Sequence, residues 1–167
     1  VHHRDAPEAD LRQSEFLADA NQSEERQLAD VLINVLGQEG AIIVYGGFEK
    51  TRISALRDAF PDLKEALDAL LGRLVDLSAI VVNHVYHPEF RGRFSIKAVI
   101  RALVPDLSYA DLAVADGDTA IAKFARMARG EISGAAVAAT RDQLLAYCRL
   151  DTLGMVRLHE ILSKLPS

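Results

Sequence analysis

The chain is short of cysteine, of long apolar runs and of positive charge, and each shortage removes a class of protein. Cys148 is the one cysteine in 167 residues, so no internal disulfide can form and a reducing cytoplasm is the expected setting. The longest apolar stretches, such as 41–45 and 79–82, suit a strand or a helical turn, far below the roughly 20 residues that span a bilayer. No membrane attachment is therefore expected. No basic segment leads into an apolar one, so nothing reads as a secretory signal. Net charge is -5 and the pI about 5.5, whereas proteins that grip duplex nucleic acid through its phosphates are usually basic. Any nucleic-acid contact is expected to be local, metal-assisted and modest in affinity. Internal repeats and low-complexity linkers are also lacking, and the opening Val1-His2-His3-Arg4 has no initiator methionine. That opening reads as the middle of a longer protein, with a strand entered halfway.

What is present has the ordinary balance of a globular domain, 50% hydrophobic and 26% charged, and one domain over 1–167 is the simple expectation. Residues 5–13 are polar and read as a loop, and 15–18 as a short strand. Ser23 with Glu24 and Glu25 starts a helix, a hydroxyl cap with acids in the first turn. Leu28, Val31, Leu32, Val35 and Leu36 keep helical spacing until Gly37 or Gly40. The β-branched run 41–45, bounded by glycines, predicts a strand buried on both faces in a mixed or parallel sheet. Gly46-Gly47 breaks it, and Phe48-Glu49-Lys50 opens a helix with Ile53, Leu56 and Phe60 on one face. Pro61 starts another through Leu63, Leu67, Leu70 and Leu71. Residues 74–77 read as a strand, 83–94 as a loop rich in histidine and aromatics, and 95–103 as a helix. Ser108 to Asp111 fits a capping box, Asp116-Gly117-Asp118 a turn, and 118–129 and 134–164 two closing helices. The class is α/β, a small mixed sheet flanked by helices.

Several places carry candidate chemistry. Tyr147 and Asp151 stand four residues apart, on one face of the last helix, where a carboxylate and a phenol could hold a divalent ion and orient water. The plainer alternative is a buried tyrosine bonded to a helix carboxylate. Glu49 follows a glycine turn at the carboxyl edge of the sheet, where open α/β sheets place their sites. It equally suits a helix N-terminus. The turn is no phosphate loop, for no Gly-Lys-Ser/Thr follows it. Asp76 sits on an apolar background, where an acid needs pairing, ligation or a capping duty. His84 and His87, near Glu89, are spaced poorly for a closed zinc site and read better as loop histidines that contact substrate. Lys97 follows Ser95 as a cation for a phosphate or as a solvated residue after a cap, and Cys148 reads as a small core residue.

Taken in order, Val44-Tyr45-Gly46-Gly47-Phe48-Glu49-Lys50-Thr51, Val75-Asp76-Leu77, the run from His87 to Val99, Pro105-Asp106-Leu107-Ser108-Tyr109 and Tyr147-Cys148-Arg149-Leu150-Asp151-Thr152 carry a resemblance. From about residue 15 to 163 the chain resembles a bacterial family of uncharacterised proteins with a ribonuclease H-like fold, related to DEDD-type 3′–5′ exonucleases. The resemblance implies two Mg²⁺ or Mn²⁺ ions held by four carboxylates, about 3.5–4 Å apart, clamping the attacking and leaving oxygens. In that scheme Phe48-Glu49 takes the third carboxylate position, with glutamate for aspartate and Gly46 near the place of an asparagine. Tyr147 and Asp151 match the closing Tyr-x-x-x-Asp. Glu49 and Asp151 are then metal ligands with Asp76 beside them, Tyr147 orients water, and Phe48, Lys97 and His87 contact a nucleic acid, single-stranded by preference. The opening Asp-x-Glu strand is missing, since Asp5, Glu8 and Asp10 lie in polar sequence. The expectation is an N-terminally truncated domain, inactive alone, with a sheet edge left open to self-association. A second expectation, from the glutamate at 49 and the glycine at 46, is a non-catalytic ribonuclease H-like binding or assembly module.

Overall fold

A computed structural model of the chain describes residues 1–6, 8–20, 22–110, 112–114 and 116–164. They gather into two compact units, each discontinuous in sequence: one joins 1–24 to 108–153, the other joins 25–107 to the stretch from Gly154 onward.

The larger unit contains α1 (Glu25–Leu36), β3 (Ile42–Val44), α2 (Phe48–Ala59), α3 (Lys64–Gly72), β4 (Leu74–Asp76), α4 (Leu77–His84), α5 (Ile96–Leu103) and the end of α7 (Ala135–Leu162). Strands β3 and β4 pair in parallel, Ile42 with Leu74 and Val44 with Asp76. A parallel pair needs a crossover, and α2 and α3 supply it. Their apolar stripe buries Ile53, Leu67 and Leu70, with Leu32, Ile33 and Leu36 of α1 packed alongside. Gly37 ends α1 at φ +55, a backbone angle that costs a glycine least. The carbonyls freed there are taken by one side chain. Arg73 donates to the oxygens of Leu36, Gly37 and Gly40 at 2.7, 2.6 and 2.9 Å. A second cluster forms from Leu77, Val81, Phe90, Val99 and Leu158. Where α7 passes α5 in this unit, a Cβ on Gly154 would overlap Ile100 Cδ1 and press on Leu107 Cδ2 at 3.3 Å.

The smaller unit holds β1 (His2–His3) and β2 (Arg12–Gln13), paired antiparallel, then α6 (Gly117–Ala128) and the first part of α7. Asp116 caps α6 by accepting the Thr119 amide at 2.7 Å. Val114, Met127, Leu144 and Tyr147 are its buried core, with Leu17, Tyr109 and Phe124 against them.

The sequence and the structure agree on α/β class, on the strand at 42–44, on Ser95 as the cap of α5 and on a long last helix. They differ at five places. Residues 15–18 form no strand, because Arg141 takes the carbonyls of Leu17 and Ala18 at 2.6 and 2.9 Å, so a side chain replaces the ladder. The polar stretch 5–13 is no plain loop, since Arg12 and Gln13 pair with β1. The strand expected at 74–77 is found as β4 and stops at Asp76, which caps α4, so helix runs over 77–84 and the loop expected from 83 begins only after His84. No helix begins at Ser108, whose hydroxyl accepts the Ala110 amide at 3.1 Å in a turn, and Asp111 of the expected capping box lies outside the described residues. The sheet around β3 has two strands among the described residues, and Ile42 and Ile43 are half-covered instead of buried on both faces.

Candidate functional site

The candidate carboxylates fall in different units, and each is set by its own surroundings. In the larger unit, Asp76 ends β4 and caps α4. A single oxygen, Oδ1, accepts the amides of Ser78 and Gly46, both at 2.8 Å. The second bond reaches from the end of β4 to the turn after β3, so one carboxylate ties together the carboxyl ends of both paired strands. Burial pushes its pKa up, but the Gly46 and Ser78 amides and the Ser78 hydroxyl outweigh that, and the group stays below the ordinary carboxylate range. The capping alternative read from sequence is therefore the geometry found.

Gly46 turns out of β3 at φ +89, and Gly47 caps α2 without a side chain. Glu49 follows in the first turn of α2, where the helix dipole favours an anion, and its Oε2 is buried. Phe48, by contrast, is 68% exposed, with the Arg52 guanidinium 5.3 Å above its ring. That cation covers one face of the ring. His87 accepts the Glu89 amide through Nδ1 at 3.2 Å and caps the 3₁₀ turn Pro88–Phe90. His84 closes α4, and Lys97 stands in the first turn of α5.

In the smaller unit, Asp151 meets two phenols. The Tyr109 hydroxyl donates to Asp151 Oδ1 at 2.8 Å, and Tyr147, one turn earlier on α7, also hydrogen-bonds the carboxylate. The two rings lie 6.5 Å apart and tilted by 59°. Tyr147 is buried at 8% exposure. Desolvation, then the charge of Asp151 and the hydrogen bond to it, pushes both phenols well above an ordinary tyrosine. Both stay protonated donors across the physiological range. Cys148, expected in the core, is exposed, because the next position along the helix turns about 100° away from the buried Tyr147. Desolvation and the nearby Asp151 raise its thiol, which removes any thiolate chemistry near neutral pH.

Tyr109 escaped the sequence reading as a site residue. It was visible only as the end of the Pro105–Tyr109 motif, and no local spacing reveals a partner 42 residues away. Among the described residues, no three His, Cys, Asp or Glu side chains gather as a metal ion would require. A two-metal centre needs more oxygen ligands than this, and Asp76 Oδ1 already holds two amides. The donors present do not fit such a centre by themselves.

No helix of the described residues is long and apolar enough to cross a membrane. Comparison with known proteins gives one family and no function. No curated protein and no solved structure matches the chain. The family model carries no link to ribonuclease H-like proteins or to DEDD exonucleases, and it covers Glu49 and Asp76 but neither Tyr109 nor Asp151. On that match, over residues 1–95, the chain belongs to the family DUF2779, a domain of unknown function.

Proposed function

We propose that the chain has a ribonuclease H-like, exonuclease-type fold and serves metal-dependent 3′–5′ hydrolysis of phosphodiesters in nucleic acid, single-stranded by preference. One observation carries the reading. Tyr147 and Asp151 share a face of α7 and are hydrogen-bonded, as a phenol beside a ligating carboxylate would be. Glu49 adds support from its place just past the carboxyl end of a parallel strand. Asp151 in the smaller unit and Glu49 in the larger are then each a candidate carboxylate for Mg²⁺ or Mn²⁺ within its own unit, and Phe48, Lys97 and His87 of the larger unit the candidate substrate contacts. Because these donors do not complete a two-metal centre, the chain alone is expected to cut nothing.

The test is direct. The native full-length protein, given Mn²⁺ or Mg²⁺ and 5′-labelled single-stranded DNA or RNA, should shorten the strand from its 3′ end, and Asp151→Asn should abolish this. If neither ion supports cleavage of either strand, the enzymatic reading fails.

A second reading is favoured by a different observation: the carboxylates are already engaged, Asp76 by two amides and Asp151 by two phenols. It is a non-catalytic module for binding or assembly, with self-association through an edge of the β3–β4 pair. A mass of 18.2 kDa in solution across the micromolar range would remove the self-association part.

A further inference from the structure

Charge is unevenly spread over the chain. The smaller unit holds seven Lys and Arg against twelve Asp and Glu, while the larger holds twelve against twelve. Four of the eight arginines of the larger unit hold acids or backbone carbonyls. Arg26 pairs with Asp30 and Asp62, Arg57 with Asp58 and Asp68, Arg157 with Asp106, and Arg73 serves backbone carbonyls. One stretch differs. From Phe90 to Arg101 there are Arg91, Arg93, Lys97 and Arg101 and no acid at all. Arg91, Arg93 and Arg101 are exposed, and among the described residues no acid pairs with them.

The stretch is held on a stiff frame. Phe90 is 2% exposed and meets Phe94 edge-on at 5.7 Å. The Arg93 amide returns to the Phe90 carbonyl at 2.8 Å, and the Tyr45 hydroxyl donates to the Phe94 carbonyl at 2.7 Å. Arg91 itself adopts φ 49, a left-handed angle uncommon for a side-chain-bearing residue, and turns the chain so that two arginines flank Gly92. Lys97 and Arg101 stand one helical turn apart on α5, opposite the fully buried Val99. On the other flank of the 3₁₀ turn is Tyr86, 86% exposed. Tyr86 and Arg91 are five residues apart, so their backbones lie within about 17 Å.

We infer that Tyr86, Arg91, Arg93 and Arg101 form a surface that holds single-stranded nucleic acid, the arginines on phosphates and the tyrosine on a base. Arginine's planar fork matches phosphate oxygens two at a time, and an exposed ring accepts the face of any base. A frame fixed by the buried Phe90 and the half-buried Phe94 presents these groups with little backbone entropy left to lose. The inference rests on the nucleic-acid reading above for its partner, but binding is measured without cleavage, so the two can fail separately.

Fluorescence anisotropy of labelled oligo(dT) and oligo(U) against the intact protein, without divalent metal, tests it. Binding should weaken with salt, and the combined variant Arg91→Asn, Arg93→Gln, Arg101→Gln should flatten the log K against log salt slope by about 2, since each phosphate contact on a single strand contributes about 0.7. Asparagine at 91 keeps the left-handed turn accessible. Tyr86→Ala should weaken binding at least about 5-fold with the slope unchanged. A control with the same charge removed at Lys64, Lys123 and Arg129 should keep the wild-type slope. The inference is overturned if the wild type binds neither strand, if the control flattens the slope as much, or if phosphatidylserine vesicles and not oligonucleotides are bound through these arginines. Should the combined variant unfold, photo-crosslinking of 4-thiouridine RNA to the unaltered protein decides. Adducts within 84–101 support the surface, and adducts confined elsewhere overturn it.

Discussion

Asp76 and Tyr109 show how much one oxygen or one hydroxyl can do. Asp76 Oδ1 satisfies an orphan amide of α4 and the amide of Gly46 at once. Asp76→Ala should cost about 2 kcal/mol, from the lost cap and the lost turn bond together, while Asp76→Asn should cost less; urea unfolding reads both. The carboxyl has a lowered folded pKa, so its contribution is complete above the unfolded value near 3.8 and fades as pH falls below it. Wild type and Asp76→Asn should thus differ at pH 6 and draw together as pH falls below 3.8. Tyr109 and Tyr147 carry the opposite sign. Their raised pKa values supply stability below about pH 10, lost as the unfolded chain's phenols ionise above it. Tyr109→Phe should lower stability by about 2 kcal/mol at pH 8 and flatten the alkaline fall in melting temperature; an unchanged alkaline limb would refute the assignment.

Among the elements, helices with a periodic apolar face were legible in sequence, as α1 and α5 show, and so was the Ser95 cap of α5. The strand at 42–44 was legible too, because β-branched residues stood between glycines. What sequence hid was decided at long range. The 15–18 segment has strand composition, but its carbonyls belong to an arginine more than 120 residues away. Helix α4 needed Asp76 to be seen as a cap and not as a ligand. The same holds for the candidate site: the Tyr147–Asp151 spacing is local and readable, whereas Tyr109 arrives from another part of the chain. Gly154 is the clearest test of an element contact. An alanine there would gain helix propensity, but Gly154→Val sets a branched side chain against the fully buried Ile100. It should destabilise by about 2 kcal/mol or more, visible as a lower thermal midpoint.

For the whole molecule, the organisation that matters is the discontinuity of both units. The smaller unit needs Leu17 and Ala20 in its core and the carbonyls that Arg141 grips. A chain begun at Glu25 should therefore lose that unit's cooperative transition and bind a hydrophobic dye, while a sharp wild-type-like transition would show the first 24 residues to be dispensable. Arg141 thereby sets a timetable. When the ribosome has made Leu17 and Ala18, the guanidinium that will hold them does not yet exist, and about 120 residues must follow. At about 5–20 residues per second, that wait is on the order of 6–25 s. During it, Phe16, Leu17 and Ala18 stand unclaimed on a growing chain, and the interval is open to chaperones and proteases.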